Sequence, residues 1–314
     1  MKKLGVAVIG SGFWGQNHAR VFRNMEETNL IAVCDSNENR AKEVAAKFGV
    51  QWYTDIERLL LRNDVEAVTV CTPTTTHHDV ATQAVKVGKH VLVEKPMTNT
   101  VEEAKKLVSL ARERGVCLMP GHIERFNPAV QRVKKMIVEG KLGQVILVIA
   151  RRVTRWPERV GDVGVIKDSA IHDIDIMCYL LEDYVKSVYA RAGSLRHKLE
   201  DFAEILLRFS NGETGFIDAN WLTPRKIRTL IVTGSEATAT LDYLTQEITL
   251  EDSEKIVKPI VKWEEPLFFE LKHFATCVLE SKNPLVTGKD GIRAIEICNR
   301  AEESAETGKV VYLS

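Results

Sequence analysis

The architecture of the chain follows from one segment, Val6-Ala7-Val8-Ile9-Gly10-Ser11-Gly12-Phe13-Trp14-Gly15-Gln16-Asn17-His18-Ala19-Arg20. An apolar run stops at the first glycine of a G-x-G-x-x-G pattern, and a helical pattern follows, as where a buried parallel strand passes into a helix. Gly10 permits the tight turn, Gly12 leaves room for a pyrophosphate, and Gly15 lets the helix pack closely on the strand. The segment predicts a dinucleotide site at a helix N-terminus; the alternative is a glycine turn that binds nothing.

A second apolar run supplies the acidic residue that such a site needs. Residues 30–34 form this run, and Asp35 follows it directly, twenty positions after Gly15. A carboxylate there accepts hydrogen bonds from a ribose diol and repels a 2′-phosphate. No lysine or arginine follows directly, so the sequence favours NAD, while Arg40 leaves NADP open.

Composition is that of an ordinary globular protein. The chain has 314 residues, 45% of them hydrophobic, and 43 basic residues balance 43 acidic ones for a net charge of zero. At about 150 residues per domain the length suits two domains. A balanced charge gives no general reason to expect nucleic acid or an anionic membrane as a partner.

Cysteine use and the N-terminus predict a cytoplasmic protein. The six cysteines are scattered with no C-x-x-C pair, so we expect reduced core residues. Met-Lys-Lys runs straight into the first strand pattern, without a signal peptide. No apolar run reaches membrane-spanning length.

Residues 1–121 read as a dinucleotide-binding Rossmann domain. Strand and helix patterns alternate throughout, which predicts a parallel sheet covered on both faces. Ligands of such sheets lie over the carboxyl ends of the strands. Five loops therefore line the expected cofactor crevice, at Gly10, Asp35, Thr72, Glu94 and Pro120.

Two of these loops carry chemistry. Thr72-Pro73-Thr74 offers hydroxyls and free backbone to the cofactor. His77 after it is included among the cofactor-binding residues, although its place at a helix start favours a capping or packing role. In Glu94-Lys95-Pro96 the lysine ammonium can hold a sugar hydroxyl, stabilise an alkoxide or relay a proton. The alternative is an exposed lysine paired with Glu94.

Residues 122–314 read as an α+β domain for substrate binding and oligomerisation. The βα alternation stops after Gly121, and strand patterns with hairpin signals such as Ser210-Asn211-Gly212 follow from Gly143. This predicts a large, mostly antiparallel open sheet with helices on one face. The other face is then free for a second copy, so we expect a dimer or tetramer.

A carboxylate and a histidine four residues apart mark the candidate catalytic helix. Asp168 and His172 would share one helix face, where the carboxylate can fix the tautomer of an imidazole that takes a proton from an alcohol. The alternative is that the pair only caps or braces the helix. Asp173 and Asp175 are assigned that bracing role.

Five motifs together resemble the Gfo/Idh/MocA family of nicotinamide-dependent sugar oxidoreductases. They are G-S-G-F-W-G at 10–15, A-V-C-D at 32–35, C-T-P-T at 71–74, E-K-P at 94–96 and D-x-x-x-H at 168–172. In that family the lysine and the D-x-x-x-H pair surround the reacting carbon. The resemblance implies that His172 removes the hydroxyl proton, Lys95 polarises the same oxygen, and Asp168 orients the sugar and the histidine.

The site residues predicted from these motifs fall into two sets, with no metal. The cofactor-binding set is Gly10, Gly12, Phe13, Trp14, Gly15, Asp35, Arg40, Thr72, Pro73, His77, Glu94 and Lys95. The substrate-binding set is Lys95, Arg125, Asn127, Asp168 and His172.

Within the family, residues 12–20, 121–128 and 164–175 resemble the UDP-N-acetylglucosamine 3-dehydrogenases, which oxidise the 3-hydroxyl to a ketone. By that likeness Arg125 and Asn127 face the pyranose or the nicotinamide. Three arginines meet the diphosphate or else lie on a solvated strand edge: Arg151, Arg152 and Arg155. Ser169 stands where such sequences more often have leucine.

Two other functions stay open. One is another sugar or inositol dehydrogenase of the same family. The other is a non-catalytic NAD-binding regulatory sensor, which need not keep Lys95, Asp168 and His172 together.

Overall fold

The computed structural model describes residues 2–156 and 161–313. Contacts within the chain define two compact units, Met1–His122 with Leu267–Ile295, and Ile123–Pro266 with Glu296–Ser314. The predicted boundary at residue 121 assigned everything after it to the second domain. In the structure the segment 267–295 instead packs with the first unit.

The first unit contains a six-stranded sheet in which every pairing is parallel. The order β3-β2-β1-β4-β5-β6 places β1 at the centre, and all its residues are buried. Runs buried on both faces are typical of parallel sheets, and the predicted α/β class is confirmed. The strands are β1 (Leu4–Ile9), β2 (Thr28–Cys34), β3 (Gln51–Tyr53), β4 (Ala67–Val70), β5 (His90–Glu94) and β6 (Leu118–Gly121).

Helices connect these strands. Thr100 caps α5 through a reciprocal capping box with Glu103, and Gly115 ends it in the left-handed conformation. The helices of this unit are α1 (Phe13–Asn24), α2 (Glu38–Phe48), α3 (Ile56–Leu60), α4 (His77–Lys86) and α5 (Val101–Arg114). Later in the chain come α8 (Pro266–Leu279) and α9 (Gly288–Thr307), and α9 ends in the second unit.

Two glycines after β1 are required by the backbone itself. Gly10 has φ +89°, and a Cβ there would lie 2.6 Å from the carbonyl of Cys71. A Cβ on Gly15 would lie 1.8 Å from the carbonyl oxygen of Gly10. Any side chain at either position would therefore displace backbone, which agrees with the turn and the close packing expected from the sequence.

The second unit contains a nine-stranded sheet of order β14-β13-β12-β11-β7-β10-β9-β8-β15. Within the described part of this sheet only β7 and β10 pair in parallel, so the predicted mostly antiparallel sheet is confirmed. The strands are β7 (Val145–Val153), β8 (Val185–Gly193), β9 (Phe202–Phe209), β10 (Thr214–Asn220), β11 (Ile227–Gly234), β12 (Thr238–Asp242), β13 (Ile248–Glu251), β14 (Ile256–Val257) and β15 (Val311–Tyr312).

The helical part of this unit is small. It consists of α6 (Pro128–Val138), α7 (Ile171–Leu181) and the end of α9, with a π-helical turn at Ile166–Ala170 directly before α7. A 3-10 turn at Ile123–Phe126 precedes α6. Within residues 2–156 and 161–313, we find no helix whose length and hydropathy would let it cross a bilayer.

The outward face of the nine-stranded sheet carries a row of apolar side chains. Cross-strand pairing joins Tyr189 to Leu206, Leu206 to Phe216, Phe216 to Ile149 and Ile149 to Ile231. Leu206 is 44% exposed and Tyr189 37% exposed. An exposed apolar row of this kind favours an interface, and the dimer or tetramer through this face stays a prediction.

Candidate active site

The glycine loop and the end of β2 are joined through Asp35. Its Oδ2 accepts from Ser11 N at 2.8 Å and from Ser11 Oγ at 3.0 Å, and its Oδ1 accepts from Asn37 N at 2.9 Å. Arg40 forms an ion pair with the same carboxylate at 3.5 Å. Asp35 is thus ordered where the sequence predicts a ribose acceptor, and Arg40 stays beside it.

The start of α1 offers a cradle for a dinucleotide. Gly12 is the N-cap, so the first-turn N–H groups of α1 adjoin the glycine loop. Phe13 is 64% exposed and packs edge-on against Trp14, with ring centroids 5.7 Å apart. These N–H donors, the turn made by Gly10 and Gly15, and the acceptor carboxylate of Asp35 fit a nicotinamide dinucleotide.

His77 joins the loop after β4 to the loop after β5. Its Nδ1 lies 2.8 Å from Pro96 O, and its Nε2 lies 2.9 Å from Thr72 O. Both partners are acceptors, so only the doubly protonated ring donates to both. His77 is buried and fixes the backbone on which Thr72, Pro73 and Lys95 are placed. Its predicted contact with the cofactor stays a prediction.

Glu94 is buried behind Lys95. Its Oε1 lies 2.9 Å from His18 Nε2, and its Oε2 accepts from Lys95 N at 3.2 Å. Burial raises the pKa of Glu94, but the hydrogen bond from His18 and the charges of Lys95 and His77 outweigh it and hold that pKa below its ordinary value. The ionised carboxylate anchors the backbone of Lys95, which enters a cis peptide bond with Pro96.

A third buried side chain, Glu270 on α8, completes a cluster with His18 and Glu94. One ligand atom from each lies within 4.8 Å of the others, a spacing that could hold a metal ion. The hydrogen bond between His18 and Glu94 already joins two of the three. The sequence predicted no metal and missed His18, although His18 lies three residues after Gly15 within the quoted segment.

In the second unit Asp168 and His172 belong to different kinds of helix. Asp168 lies in the π-helical turn Ile166–Ala170, and His172 lies in the first turn of α7. The helix is therefore wider at Asp168 than the α-helix expected from the sequence, and the predicted sharing of one helix face by the two side chains stays a prediction. Both side chains are partly exposed, and π-turns are frequent at functional sites.

Ser169 links Asp168 to a buried tryptophan. Trp221 Nε1 donates to Ser169 Oγ at 3.1 Å, and Ser169 Oγ donates to Asp168 Oδ2 at 3.2 Å. A leucine at position 169 could make neither bond. Sequence reasoning missed Trp221, which lies 52 positions from Ser169.

Buried ion pairs hold α7. Arg125 makes a bidentate pair with Asp175, at 2.8 and 2.6 Å. Arg152 pairs with Asp173 at 2.7 Å and with Glu124 at 2.9 Å. The bracing role predicted for Asp173 and Asp175 is confirmed. Arg152 is buried, so it does not lie on a solvated strand edge, and its contact with a diphosphate stays a prediction.

Arg125 and Asn127, the other predicted substrate contacts, are both buried. Asn127 is the N-cap of α6, and its Nδ2 donates to Tyr243 O at 3.2 Å. These contacts give both residues a structural role, and their contact with substrate stays a prediction.

A cavity of about 440 Å³ lies in the first unit, at the amino ends of the parallel strands, beside His90 at the start of β5. The glycine loop and Glu94 lie at the carboxyl ends of these strands. Cys117 and Cys277 line the cavity, and burial raises the pKa of both thiols, that of Cys117 to about 12. Thiols held in the protonated form are poor nucleophiles, so this cavity does not offer cysteine chemistry.

Comparison with known families gives matches over most of the chain. Residues 4–122 match the family described as "Oxidoreductase family, NAD-binding Rossmann fold", and residues 130–240 match the GFO/IDH/MocA C-terminal domain. The first match makes residues 4–122 an NAD-binding Rossmann domain.

Individual relatives are similar over long alignments. The scyllo-inositol 2-dehydrogenase (NAD+) of Bacillus subtilis is 30% identical over 98% of this chain and 95% of its own. The UDP-N-acetylglucosamine 3-dehydrogenase of Acidithiobacillus ferrooxidans is 31% identical over 79% of this chain and 77% of its own. A solved structure of that second enzyme superposes with a TM-score of 0.91 at 27% identity, covering 98% of this chain and 99% of the other.

Proposed function

The chain belongs to the GFO/IDH/MocA family of oxidoreductases, and we propose that it oxidises the 3-hydroxyl of a UDP-N-acetylhexosamine to a ketone with NAD. The observation that carries this proposal is the setting of Asp168 and His172. They stand at a π-turn that leads into a helix held by two buried ion pairs. The likeness to UDP-N-acetylglucosamine 3-dehydrogenases supports the choice of sugar.

The chemistry assigned to the chain is removal of a hydride and a proton from one carbinol group. When bound, NAD accepts the hydride. His172 takes the hydroxyl proton on an imidazole nitrogen, and Asp168 orients that imidazole and the sugar. The Lys95 ammonium stabilises the charge that develops on the oxygen as C–O becomes C=O. These roles are carried over from the family resemblance.

The residues proposed to hold NAD lie along the carboxyl edge of the first sheet. The glycine loop and the first turn of α1 take the pyrophosphate, Asp35 takes the ribose diol, and Thr72 and Pro73 contact the adenosine or the nicotinamide ribose. Glu94 and His77 act by fixing Lys95, through the contacts that each makes to the backbone around it.

A hydride-transfer assay tests this function. The purified chain is given NAD or NADP together with UDP-N-acetylglucosamine, UDP-N-acetylgalactosamine, free sugars and inositols, and nicotinamide reduction is followed by absorbance. We expect turnover with a UDP-N-acetylhexosamine, and none from His172→Ala, which should keep the NAD affinity of the unsubstituted chain. Turnover of inositol or free glucose with none for UDP-sugars would contradict the proposed substrate.

A second candidate is oxidation of an inositol hydroxyl, favoured by the similarity to the scyllo-inositol dehydrogenase over nearly the whole chain. The same panel separates the two by substrate. NAD binding without turnover of any member would support the regulatory sensor instead.

A further inference from the structure

A second cavity, of about 640 Å³, lies in the second unit beside Trp221. Its size is within the range of small-molecule pockets, about 300–1,000 Å³. Two arginines and two tryptophans dominate its lining, and none of the described lining residues is acidic. The lining consists of Arg155, Trp156, Arg196, Trp221, Leu222, Thr223 and Pro224.

The two tryptophan rings of the cavity wall pack together with the ring of His197. The ring centroids of Trp156 and Trp221 are 6.1 Å apart, and the His197 ring lies 6.2 Å from the first and 5.8 Å from the second. Trp221 is buried, whereas Trp156 is partly exposed. Trp156 therefore keeps an aromatic surface available on which a planar ring can stack.

The loop that presents Arg196 and His197 is hydrogen-bonded to Asp201. This buried carboxylate accepts from the backbone N–H groups of Leu195, Arg196 and His197, at distances between 2.6 and 3.1 Å. Arg155 and Arg196 are both exposed residues. A hydrogen-bonded backbone with exposed arginines suits recognition of phosphate oxygens, which accept from arginine with good geometry.

The cavity is connected to the proposed catalytic carboxylate. Trp221 lines the cavity and donates to Ser169, which donates to Asp168. A ligand in the cavity thus lies against the residue that begins this chain of hydrogen bonds. The serine and tryptophan couple the position of Asp168 to the cavity wall.

From these observations we infer that this cavity binds the nucleoside diphosphate part of the substrate. The base stacks on Trp156, and Arg155 and Arg196 hold the diphosphate. This inference rests on the proposed function and deepens it, because it assigns the recognition of the nucleotide to residues of this chain. A free sugar has neither a planar base nor a diphosphate and would gain little from this lining.

Binding measurements without turnover test the inference. UDP, uridine, inorganic pyrophosphate and N-acetylglucosamine are titrated into the full chain, with tryptophan fluorescence and calorimetry as readouts. We expect UDP to bind more tightly than the other three. Trp156→Ala should raise the Kd for UDP by about 5- to 150-fold, the range for loss of one stacked base. Arg196→Gln should raise it by about tenfold or more, through loss of a charge-assisted hydrogen bond.

Matched controls are Trp263→Ala and Arg114→Gln, at an exposed tryptophan and an exposed arginine outside the cavity. Both should bind UDP as the unsubstituted chain does, and all four variants should keep its NAD affinity. Circular dichroism and thermal unfolding establish that each variant is folded.

The outcomes separate this inference from the proposed function. Unchanged UDP affinity in Trp156→Ala and Arg196→Gln overturns the inference, even if the enzyme oxidises a UDP-sugar. UDP binding that depends on both residues, without oxidation of any UDP-sugar, supports the cavity and rejects the proposed reaction. Absence of UDP binding to the unsubstituted chain rejects the cavity, and a free-sugar activity in the panel would then reject the proposed substrate as well.

Discussion

Replacement of Ser169 by alanine should weaken both the fold and the reaction. Ser169→Ala removes the hydroxyl that accepts from Trp221 Nε1 and donates to Asp168 Oδ2. Each lost bond costs about 1 kcal/mol, and an unsatisfied buried N–H costs about 1–3 kcal/mol. Because Trp221 is only 2% exposed, its N–H then lacks both the serine and water. We expect the free energy of unfolding to fall by about 2–4 kcal/mol.

A double-mutant cycle separates the two bonds. Trp221→Phe keeps most of the aromatic ring and leaves Ser169 able to donate to Asp168. Loss of the hydrogen bond from Trp221 to Ser169 should lower the free energy of unfolding by about 1 kcal/mol. Since Ser169→Ala/Trp221→Phe removes both partners, adding the alanine to Trp221→Phe should cost much less than adding it to the natural chain. Urea unfolding measures all four free energies at one temperature and pH.

The effect of Ser169→Ala on kcat should come from the lost hydrogen bond that orients Asp168. Loss of one oriented bond of about 1–1.5 kcal/mol corresponds to roughly a tenfold fall in kcat, with the Kd for NAD unchanged. Trp221→Phe should keep a higher kcat than Ser169→Ala. A Ser169→Ala variant with undiminished stability, or a double variant whose cost equals the sum of the single costs, would refute this account of the three residues.

The remaining predictions concern cofactor choice, buried charge and pH. Asp35→Ser should raise kcat/KM with NADP relative to NAD at least about tenfold, because a carboxylate disfavours the 2′-phosphate; an unchanged ratio in parallel assays contradicts this. Arg125→Met should lower the free energy of unfolding by about 3–5 kcal/mol by leaving Asp175 without its buried partner, and adding Asp175→Leu should restore most of it in urea unfolding. Burial raises the pKa of Glu200 above 4.5. The stability that the protonated Glu200 side chain gives the fold is therefore fully present below pH 4.5 and is lost as pH rises through the folded-state pKa. The free energy of unfolding of Glu200→Gln should therefore rise relative to that of the natural chain between pH 4 and pH 8, as measured by urea unfolding. A difference that does not change with pH would contradict this prediction.

Local signals in the sequence predict much of the fold. The G-x-G-x-x-G segment predicts a strand, a turn and a helix, and the geometry at Gly10 and Gly15 shows why glycine is needed there. Apolar runs and alternating patterns predict both sheets because the order of apolar and polar residues within a strand indicates which of its faces are buried. The hairpin signal at Ser210-Asn211-Gly212 lies between β9 and β10, which pair antiparallel.

Contacts between distant segments are not predicted by periodicity. His18 meets Glu94 across 76 positions, and Trp221 meets Ser169 across 52. No local pattern records either pairing, because each depends on how separate elements pack. For the same reason the sequence assigned 267–295 to the second domain, and an ordinary helical spacing concealed the π-turn at Asp168.

The central claim is that a hydride leaves C3 of a UDP-N-acetylhexosamine for nicotinamide. The most direct measurement uses UDP-N-acetylglucosamine carrying deuterium at C3, with NAD, and locates the label by mass spectrometry and NMR. The account predicts one deuterium at C4 of the reduced nicotinamide and a 3-keto sugar that has lost it, with neither product from His172→Ala. Reduced nicotinamide without deuterium, or labelled sugar recovered unchanged while another compound is oxidised, would contradict the account.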